Sequence, residues 1–187
     1  MAAGARRYDP DRRQRIIDAA IRVVSAKGIA GLSHRSAAAE ADVPLGSTTY
    51  HFETLDDLLV AALRQANEAY APALVIREGE DLAGALARLL GEVLEADRGR
   101  AELEYELYLA ALRRPALRPV AAEWCEAVTA ALAEHTDPLT ARALVAVMDG
   151  ISLQVLLTGT PYDGAYVREL LRRVVAGADG RRGPEVL

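Results

Sequence analysis

The chain is poor in the residues from which disulfide frameworks, metal centres and many active sites are built. Its 187 residues include one cysteine, one tryptophan, one phenylalanine and three histidines. The lone Cys125 excludes an intrachain disulfide framework and fits a reducing compartment. None of His34, His51 and His135 follows a glutamate by three positions, so the Glu-x-x-His motif of carboxylate-bridged metal bundles is missing. HExxH, a glycine-rich phosphate loop and G-x-S-x-G are also missing. We therefore predict no catalytic residue, no metal site and no cofactor.

Long apolar runs are scarce as well. No uninterrupted run of about eighteen apolar residues occurs, which is the length needed for a membrane-spanning helix. The first fifteen residues, MAAGARRYDPDRRQR, contain no apolar segment of the secretory kind. We expect a soluble, cytoplasmic protein with no membrane partner.

Charge is unevenly distributed along the chain. The net charge is −5, yet residues 1–53 carry eight Lys/Arg against six Asp/Glu, or +2, and the remainder carries 14 against 21, or −7. A mildly basic head can bind DNA despite an acidic body, because phosphate contacts are local and are screened beyond roughly 10 Å. Arg6, Arg7, Arg12 and Arg13 fit either a DNA-seeking arm or a solvated basic terminus. Ordinary surface scatter explains the same imbalance equally well.

Apolar residues recur at three- and four-residue spacing almost throughout, which predicts helices. Gly28 follows a first helix, Ser33 caps a short second one, and Thr54 with Asp57 forms the capping-box pattern that begins a long helix. Asp137-Pro138 begins another helix, which extends to Leu157. No strand pattern occurs. The sequence predicts an all-α protein of about nine helices, with a helix-turn-helix head followed by a helical bundle.

The stretch PLGSTTYHF, residues 44–52, lies between two helices and is rich in small hydroxyl residues. A helix over 33–41, a turn at 42–44 and a short helix over 45–50 have the spacing of a helix-turn-helix, whose second helix enters the major groove. Gly46 permits close approach, and the hydroxyls of Ser47, Thr48 and Thr49 suit base edges. Tyr50 and His51 can reach phosphates.

Residues 12–63, containing DAAIRVVSAKGIAGLSHRSAAAEADVPLGSTTYHFETLDDLL, resemble the DNA-binding head of tetracycline-repressor-type (TetR-family) transcription regulators. The resemblance implies a homodimer that binds double-stranded operator DNA near its own genes and releases it when a small-molecule effector binds. It also implies the DNA-binding residues, which are Ser33, Arg35, Leu45, Gly46, Ser47, Thr48, Thr49, Tyr50 and His51. The chain departs from the family pattern at three positions. Asp42 replaces the common turn glycine, which aspartate tolerates because it can adopt a positive φ. Thr49 stands where an aromatic residue is usual, and Glu53 stands where a phosphate-binding lysine is common.

The chain is predicted to divide into a DNA-binding head (1–53), a ligand-binding and dimerising body (54–178) and a loose tail (179–187). Residues 139–157 are apolar nearly all round, so two of their faces need cover. The last helix carries a single apolar stripe, which includes Tyr166, Leu170 and Val174. Two such helices from each subunit would form a symmetric four-helix dimer interface. The alternative is a central core helix of a monomer. The predicted interface residues are Leu144, Val147, Ile151, Val155, Tyr166, Leu170 and Val174.

An effector cavity is predicted from aromatic residues at helical spacing with a few polar groups among them. The candidates are Tyr105, Tyr108, Trp124, Met148, Asp149 and Gln154. Plain core packing is the more common role for such aromatic residues. Asp149 lies in an apolar helix and needs a partner, which is either an arginine across the dimer or a ligand.

The resulting hypothesis is allosteric repression. The two recognition helices of a dimer lie roughly 34–36 Å apart, and a ligand changes that separation by displacing the helix that begins at Thr54. The alternative is a helical small-molecule-binding protein with weak or lost DNA binding. An enzyme fits the sequence least well.

Overall fold

The computed structural model describes residues 9–70, 76–96 and 98–179. Within these ranges it contains nine α-helices and two short 3₁₀ turns. Those ranges contain no strand, and the predicted all-α architecture is confirmed. The helices are α1 (Arg12–Lys27), α2 (His34–Ala41), α3 (Leu45–His51), α4 (Leu55–Tyr70), α5 (Leu82–Ala96), α6 (Arg98–Ala110), α7 (Arg118–Ala133), α8 (Pro138–Thr158) and α9 (Gly164–Asp179). The 3₁₀ turns are Ile29–Gly31 and Pro115–Leu117.

Local hydrogen bonds set the boundaries of the helix-turn-helix. Ser33 and Ser36 form a capping box, in which the side chain of each accepts the backbone N–H of the other. α2 ends at Asp42, whose φ of 52° is left-handed, a conformation that aspartate tolerates. The turn returns α3 against α2, and both helices pack on α1. The predicted helix-turn-helix head is confirmed.

A second capping box begins α4. The Thr54 N–H donates to Asp57 Oδ2 at 2.8 Å, and the Asp57 N–H donates to Thr54 Oγ1 at 3.1 Å. The bond from the Thr54 N–H, together with one from the Thr54 side chain, lowers the pKa of the Asp57 carboxyl. From there α4 leaves the head and packs against both α1 and α6.

The hydrophobic core of the head continues into the body. Ile16 and Val24 of α1 and Leu59 of α4 share one buried cluster with Leu103 and Leu107 of α6. The head and body therefore meet through a continuous apolar contact. The predicted boundary between head and body at residue 53 separates two parts of the chain that share one hydrophobic core. The boundary itself stays a prediction.

A second buried cluster joins α5, α8 and α9, with Leu86, Leu144 and Leu171 at its centre. α8 has 21 residues and is long and apolar enough to cross a membrane by those two criteria, but only 28% of its most apolar stretch is buried. Its exposed apolar residues include Leu139 and Leu157. The helix thus offers apolar surface that its own chain leaves uncovered.

Two predictions concern parts of the chain outside the described residues. They are the tail, apart from Asp179, and the Arg6-Arg7 part of the basic arm.

Candidate DNA-binding surface and effector cavity

The outer face of α3 presents polar and aromatic groups to solvent. Tyr50 is 84% exposed and Leu45 44% exposed, and Thr49 also faces outward. A side chain added at Gly46 would meet open space, so the backbone there is accessible. The Tyr50 ring stands edge-on to His51 with 5.1 Å between centroids, a favourable arrangement for two aromatic rings.

Thr48 does not belong to that face. Its side chain is completely buried, and Oγ1 donates to the Leu45 carbonyl at 2.8 Å and lies 3.4 Å from the His34 carbonyl of α2. The prediction that Thr48 contacts DNA is wrong, because this side of α3 is the one that packs on α2. The hydroxyl orients the recognition helix and does not face the groove.

Ser33 and Arg35 are exposed at the start of α2. The Ser33 hydroxyl is already engaged in the cap, whereas the Arg35 guanidinium extends from the first turn of the helix. Two other cations of the head, Arg15 and Arg22, are paired with carboxylates of the head. Arg22 Nε lies 2.7 Å from Glu40, and Arg15 lies 2.9 Å from Asp9. The positive charge available to DNA is therefore smaller than the count of arginines suggests.

An apolar cavity of about 240 Å³ lies between α5, α6, α7 and α8. Five of the six predicted effector-contacting residues line it, namely Tyr105, Tyr108, Trp124, Met148 and Asp149. Leucines from α5, further apolar residues of α7 and α8, and Asn67 of α4 also line it.

Gln154 lies outside the cavity. It is exposed on α8, and five residues of an α-helix turn it about 140° away from Asp149. The prediction that Gln154 contacts the effector is wrong, because its side of α8 faces away from the cavity.

Two carboxylates enter the apolar cavity from facing helices. Asp149 of α8 accepts a hydrogen bond from the Tyr105 hydroxyl at 3.0 Å. Burial raises the pKa of Asp149, and the Tyr105 bond opposes part of that rise. Glu104 of α6 is 14% exposed, with Oε1 3.9 Å from Arg100 Nε. Glu104 is not among the residues predicted from the sequence, although its position beside Tyr105 and one turn before Tyr108 is a signal for it.

Tyr108 shares a hydrogen bond with Cys125 at 2.9 Å on the cavity wall. This bond, with burial, raises the pKa of Tyr108, so the phenol stays neutral at physiological pH. The cavity thus combines neutral aromatic walls with two acidic groups.

The predicted dimer residues divide between the interior and the surface. Leu144 is completely buried and Ile151 is 8% exposed, so both belong to the core of their own chain and their assignment to an interface is wrong. Tyr166 is 61% exposed, and the remaining four are half-buried on α8 and α9: Val147, Val155, Leu170 and Val174. Leu157, which is not among the predicted interface residues, is 81% exposed near the C-terminal end of α8.

Residues 77–177 match the family model of the tetracyclin repressor-like C-terminal domain. The HTH-type nicotine-responsive transcriptional repressor HdnoR of Paenarthrobacter nicotinovorans is 29% identical over 161 residues, covering 77% of this chain and 83% of that protein.

Solved structures are more similar still. The multidrug binding protein EbrR complexed with ethidium is 72% identical, with a TM-score of 0.82 over 88% of this chain and 98% of that one. EbrR is also known in complexes with proflavin and malachite green. A TetR-family member from Streptomyces coelicolor A3, SCO1917, is 73% identical, with a TM-score of 0.80 over 89% of this chain and 99% of that one.

Proteins of this kind bind operator DNA and small-molecule effectors and form dimers, and they are generally soluble, cytoplasmic and non-enzymatic. The helix-turn-helix, the cavity and the matches agree, and the chain belongs to the TetR family of ligand-responsive transcriptional regulators.

Proposed function

We propose that this chain is a homodimeric repressor that leaves its operator when a lipophilic aromatic cation fills the cavity. The observation that carries the proposal is the pair of carboxylates, Glu104 and Asp149, inside a cavity lined by Tyr105, Tyr108 and Trp124.

The electrostatics of this cavity favour a cation. An ionised carboxylate in an apolar environment is unfavourable unless a positive charge or several hydrogen bonds compensate it. Tyr105 supplies one hydrogen bond to Asp149, and a ligand cation would supply the missing charge. The faces of Trp124 and the tyrosines add cation–π attraction. Ethidium, proflavin and malachite green, which EbrR binds, are all flat or propeller-shaped aromatic cations, and this supports the same ligand class here.

On the DNA side, the exposed residues of α2 and α3 are the proposed contacts. Arg35 and Tyr50 would bind phosphates, and Ser47 and Thr49 would approach base edges. Leu45, Gly46 and His51 belong to the same proposed surface. Ser33, which caps α2, would lie near the DNA backbone.

The half-exposed faces of α8 and α9 are proposed to pair with the same faces of a second copy. That pairing would cover the apolar surface around Leu157 and Tyr166. It would also explain why α8 is so apolar without requiring that α8 cross a membrane. It would place two α3 helices in successive major grooves, roughly 34–36 Å apart. We also propose that the protein works in the cytoplasm, with the head over residues 1–53 and the body over 54–178.

The test uses an aromatic cation that does not intercalate into DNA, since ethidium would perturb the DNA itself. Labelled DNA from upstream of the chain's own gene is titrated with protein and compared with scrambled DNA by fluorescence anisotropy. Tetraphenylphosphonium is then added, with uncharged triphenylphosphine oxide as the matched control.

We expect operator-selective binding that the cation reverses and the neutral compound does not. Equal release by both compounds would contradict the role of the carboxylates. Weak binding to both DNAs, with the cation still bound, would instead support a helical small-molecule-binding protein that has lost DNA affinity.

A further inference from the structure

Helix α6 is a wall of the effector cavity and also part of the core of the head. Glu104, Tyr105 and Tyr108 line the cavity, while Leu103 and Leu107 lie in the buried cluster shared with α1 and α4. The helix also packs directly against α1. A displacement of α6 can therefore move the head through its direct contact with α1, without a displacement of α4.

A polar contact joins α6 to the head at the start of the turn between α1 and α2. Glu106 Oε1 accepts the backbone N–H of Ile29 at 2.6 Å, a short bond of the charge-assisted kind. Ile29 is the first residue of the 3₁₀ turn that connects α1 to α2, so the carboxylate holds the entry to the helix-turn-helix. At about 100° per residue, Glu106 lies about 160° around α6 from Tyr108.

Gly28 makes this approach possible. Its φ of 69° is left-handed, and a Cβ at this position would lie 3.0 Å from Glu106 Oε1. The chain therefore turns tightly and without a side chain at the place where the carboxylate of α6 comes closest.

The cavity volume indicates that a ligand must move its walls. About 240 Å³ is below the roughly 300–1,000 Å³ of sites that hold drug-sized molecules. An effector with several aromatic rings must displace side chains or a helix to fit. Because α6 contributes both charged and aromatic lining residues, it is a wall on which such a ligand bears directly.

We propose that Glu106 is a coupling residue, which transmits effector binding from α6 to the turn between α1 and α2. This inference rests on the proposed function, and it adds a route to the head that is separate from displacement of α4. In this route the effector displaces α6, and Glu106 moves with the helix. Because Glu106 accepts the Ile29 N–H, the turn between α1 and α2 moves as well, and this movement changes the orientation of α3.

The experiment measures effector binding and DNA release separately. Trp124 is the only tryptophan and lines the cavity, so its fluorescence reports tetraphenylphosphonium binding, while anisotropy of labelled operator DNA reports release. The release factor is the ratio of DNA dissociation constants with and without the cation, about 5–150-fold for typical allosteric coupling.

We expect Glu106→Ala to bind the cation, and also DNA alone, within about threefold of wild type, but to show a release factor below about twofold. By reciprocity, DNA should weaken cation binding in wild type and leave it unchanged in the variant. Glu106→Gln retains an oxygen that can accept the Ile29 N–H, so it should show an intermediate release factor.

Glu102→Gln is the matched control, because Glu102 is exposed on the same helix and pairs with Arg98 instead of the head. It should release DNA as wild type does. A wild-type release factor in Glu106→Ala, with cation binding intact, would overturn the inference and leave the proposed function standing. If Glu106→Ala does not fold, a wild-type release factor in Glu106→Gln overturns it. A wild-type protein whose Trp124 signal or DNA binding ignores the cation would refute the proposed function, and the inference with it.

Discussion

Thr48 and Thr49 are neighbours on α3 with opposite surroundings. Thr48 is completely buried with its hydroxyl bonded to the Leu45 carbonyl, while Thr49 is exposed and its hydroxyl lies 3.4 Å from the Gly46 carbonyl. One threonine therefore holds the recognition helix in place, and the other is available to DNA.

Alanine substitutions should separate these two roles. Thr48→Ala removes a buried methyl group and a hydroxyl, so we expect it to lower the free energy of unfolding by about 1–3 kcal/mol. Thr49→Ala should change that free energy by less than about 0.5 kcal/mol and should reduce the preference for operator over scrambled DNA. Urea unfolding and DNA anisotropy on both variants make the comparison. Equal stability of the two variants would contradict the assignment.

Asp149 is the residue whose ionisation should connect stability with effector binding. Its pKa in the folded protein is raised above the ordinary value of 3.8, chiefly by burial. A raised carboxyl pKa means that the protonated form fits the fold better. The protonated carboxyl therefore contributes to the free energy of unfolding, fully below pH 3.8, and this contribution is lost as pH rises through the pKa of the folded protein. When Asp149 is ionised it destabilises the empty protein, and the proposed effector cation would compensate its charge.

Asp149→Asn should therefore have opposite effects on stability and on affinity. At pH 7.5 we expect a higher melting temperature without ligand, and a gain that shrinks as pH falls towards 4.5. Tetraphenylphosphonium affinity at pH 7.5 should fall at least about tenfold, or roughly 1.4 kcal/mol, while binding of triphenylphosphine oxide should stay the same. Thermal melts at both pH values and Trp124 fluorescence titrations give the measurements. Unchanged cation affinity would exclude Asp149 as the charge partner.

At the scale of helices, the sequence was most informative where the signal was local. The caps at Ser33 and Thr54 and the left-handed Asp42 depend on residues within a few positions, and all three are present in the structure. The side of α3 that carries Thr48 could not be predicted in the same way, because packing against α2 decides it.

The candidate site shows the same limit. Helical spacing correctly placed Tyr105, Tyr108 and Asp149 on a common cavity, since they lie on apolar faces of two helices that meet. It could not reveal the bond between Glu106 and Ile29, which are 77 residues apart. Nor could it show that Leu144 faces its own core, because α8 is apolar nearly all round and no pattern marks the face that its own domain covers.

α8 offers the sharpest test of the proposed dimer, because it has an exposed leucine at each end. Leu157 is 81% exposed beside α9, and Leu139 is 66% exposed at the opposite end. Leu157→Glu should place an unpaired charge in the interface and raise the dimer dissociation constant at least about 100-fold. Analytical ultracentrifugation over a concentration series measures it, and operator affinity should fall in parallel.

Leu139→Glu is the matched control, with the same substitution on the same helix. It should remain a dimer and bind operator DNA as wild type does. A dimer that survives Leu157→Glu and dissociates with Leu139→Glu would move the interface to the other end of the helix.

At the scale of the whole molecule, the charge distribution limits how the protein can bind DNA. A net charge of −5 per chain would make the proposed dimer repel DNA at long range, and a head of +2 must overcome this repulsion locally. Within the described part of the head, Arg15 and Arg22 already pair with Asp9 and Glu40. Few phosphate contacts per head are therefore expected, and operator affinity should depend only modestly on salt.

The slope of log affinity against log salt concentration tests this directly, since each phosphate contact contributes about −0.9. Arg35 is exposed beside the recognition helix, and a dimer has two copies of it. Arg35→Ala should reduce the magnitude of the slope by about 1.8 and weaken binding to operator and scrambled DNA alike. Arg22→Ala is the matched control, because the Arg22 side chain is similarly open to solvent but bound to Glu40 at 2.7 Å, and its slope should match that of wild type. If Arg22→Ala flattened the slope and Arg35→Ala did not, the phosphate contacts would come from the Arg22 side of the head. The head would then bind DNA with the face that carries Arg22 and not with the face that carries Arg35.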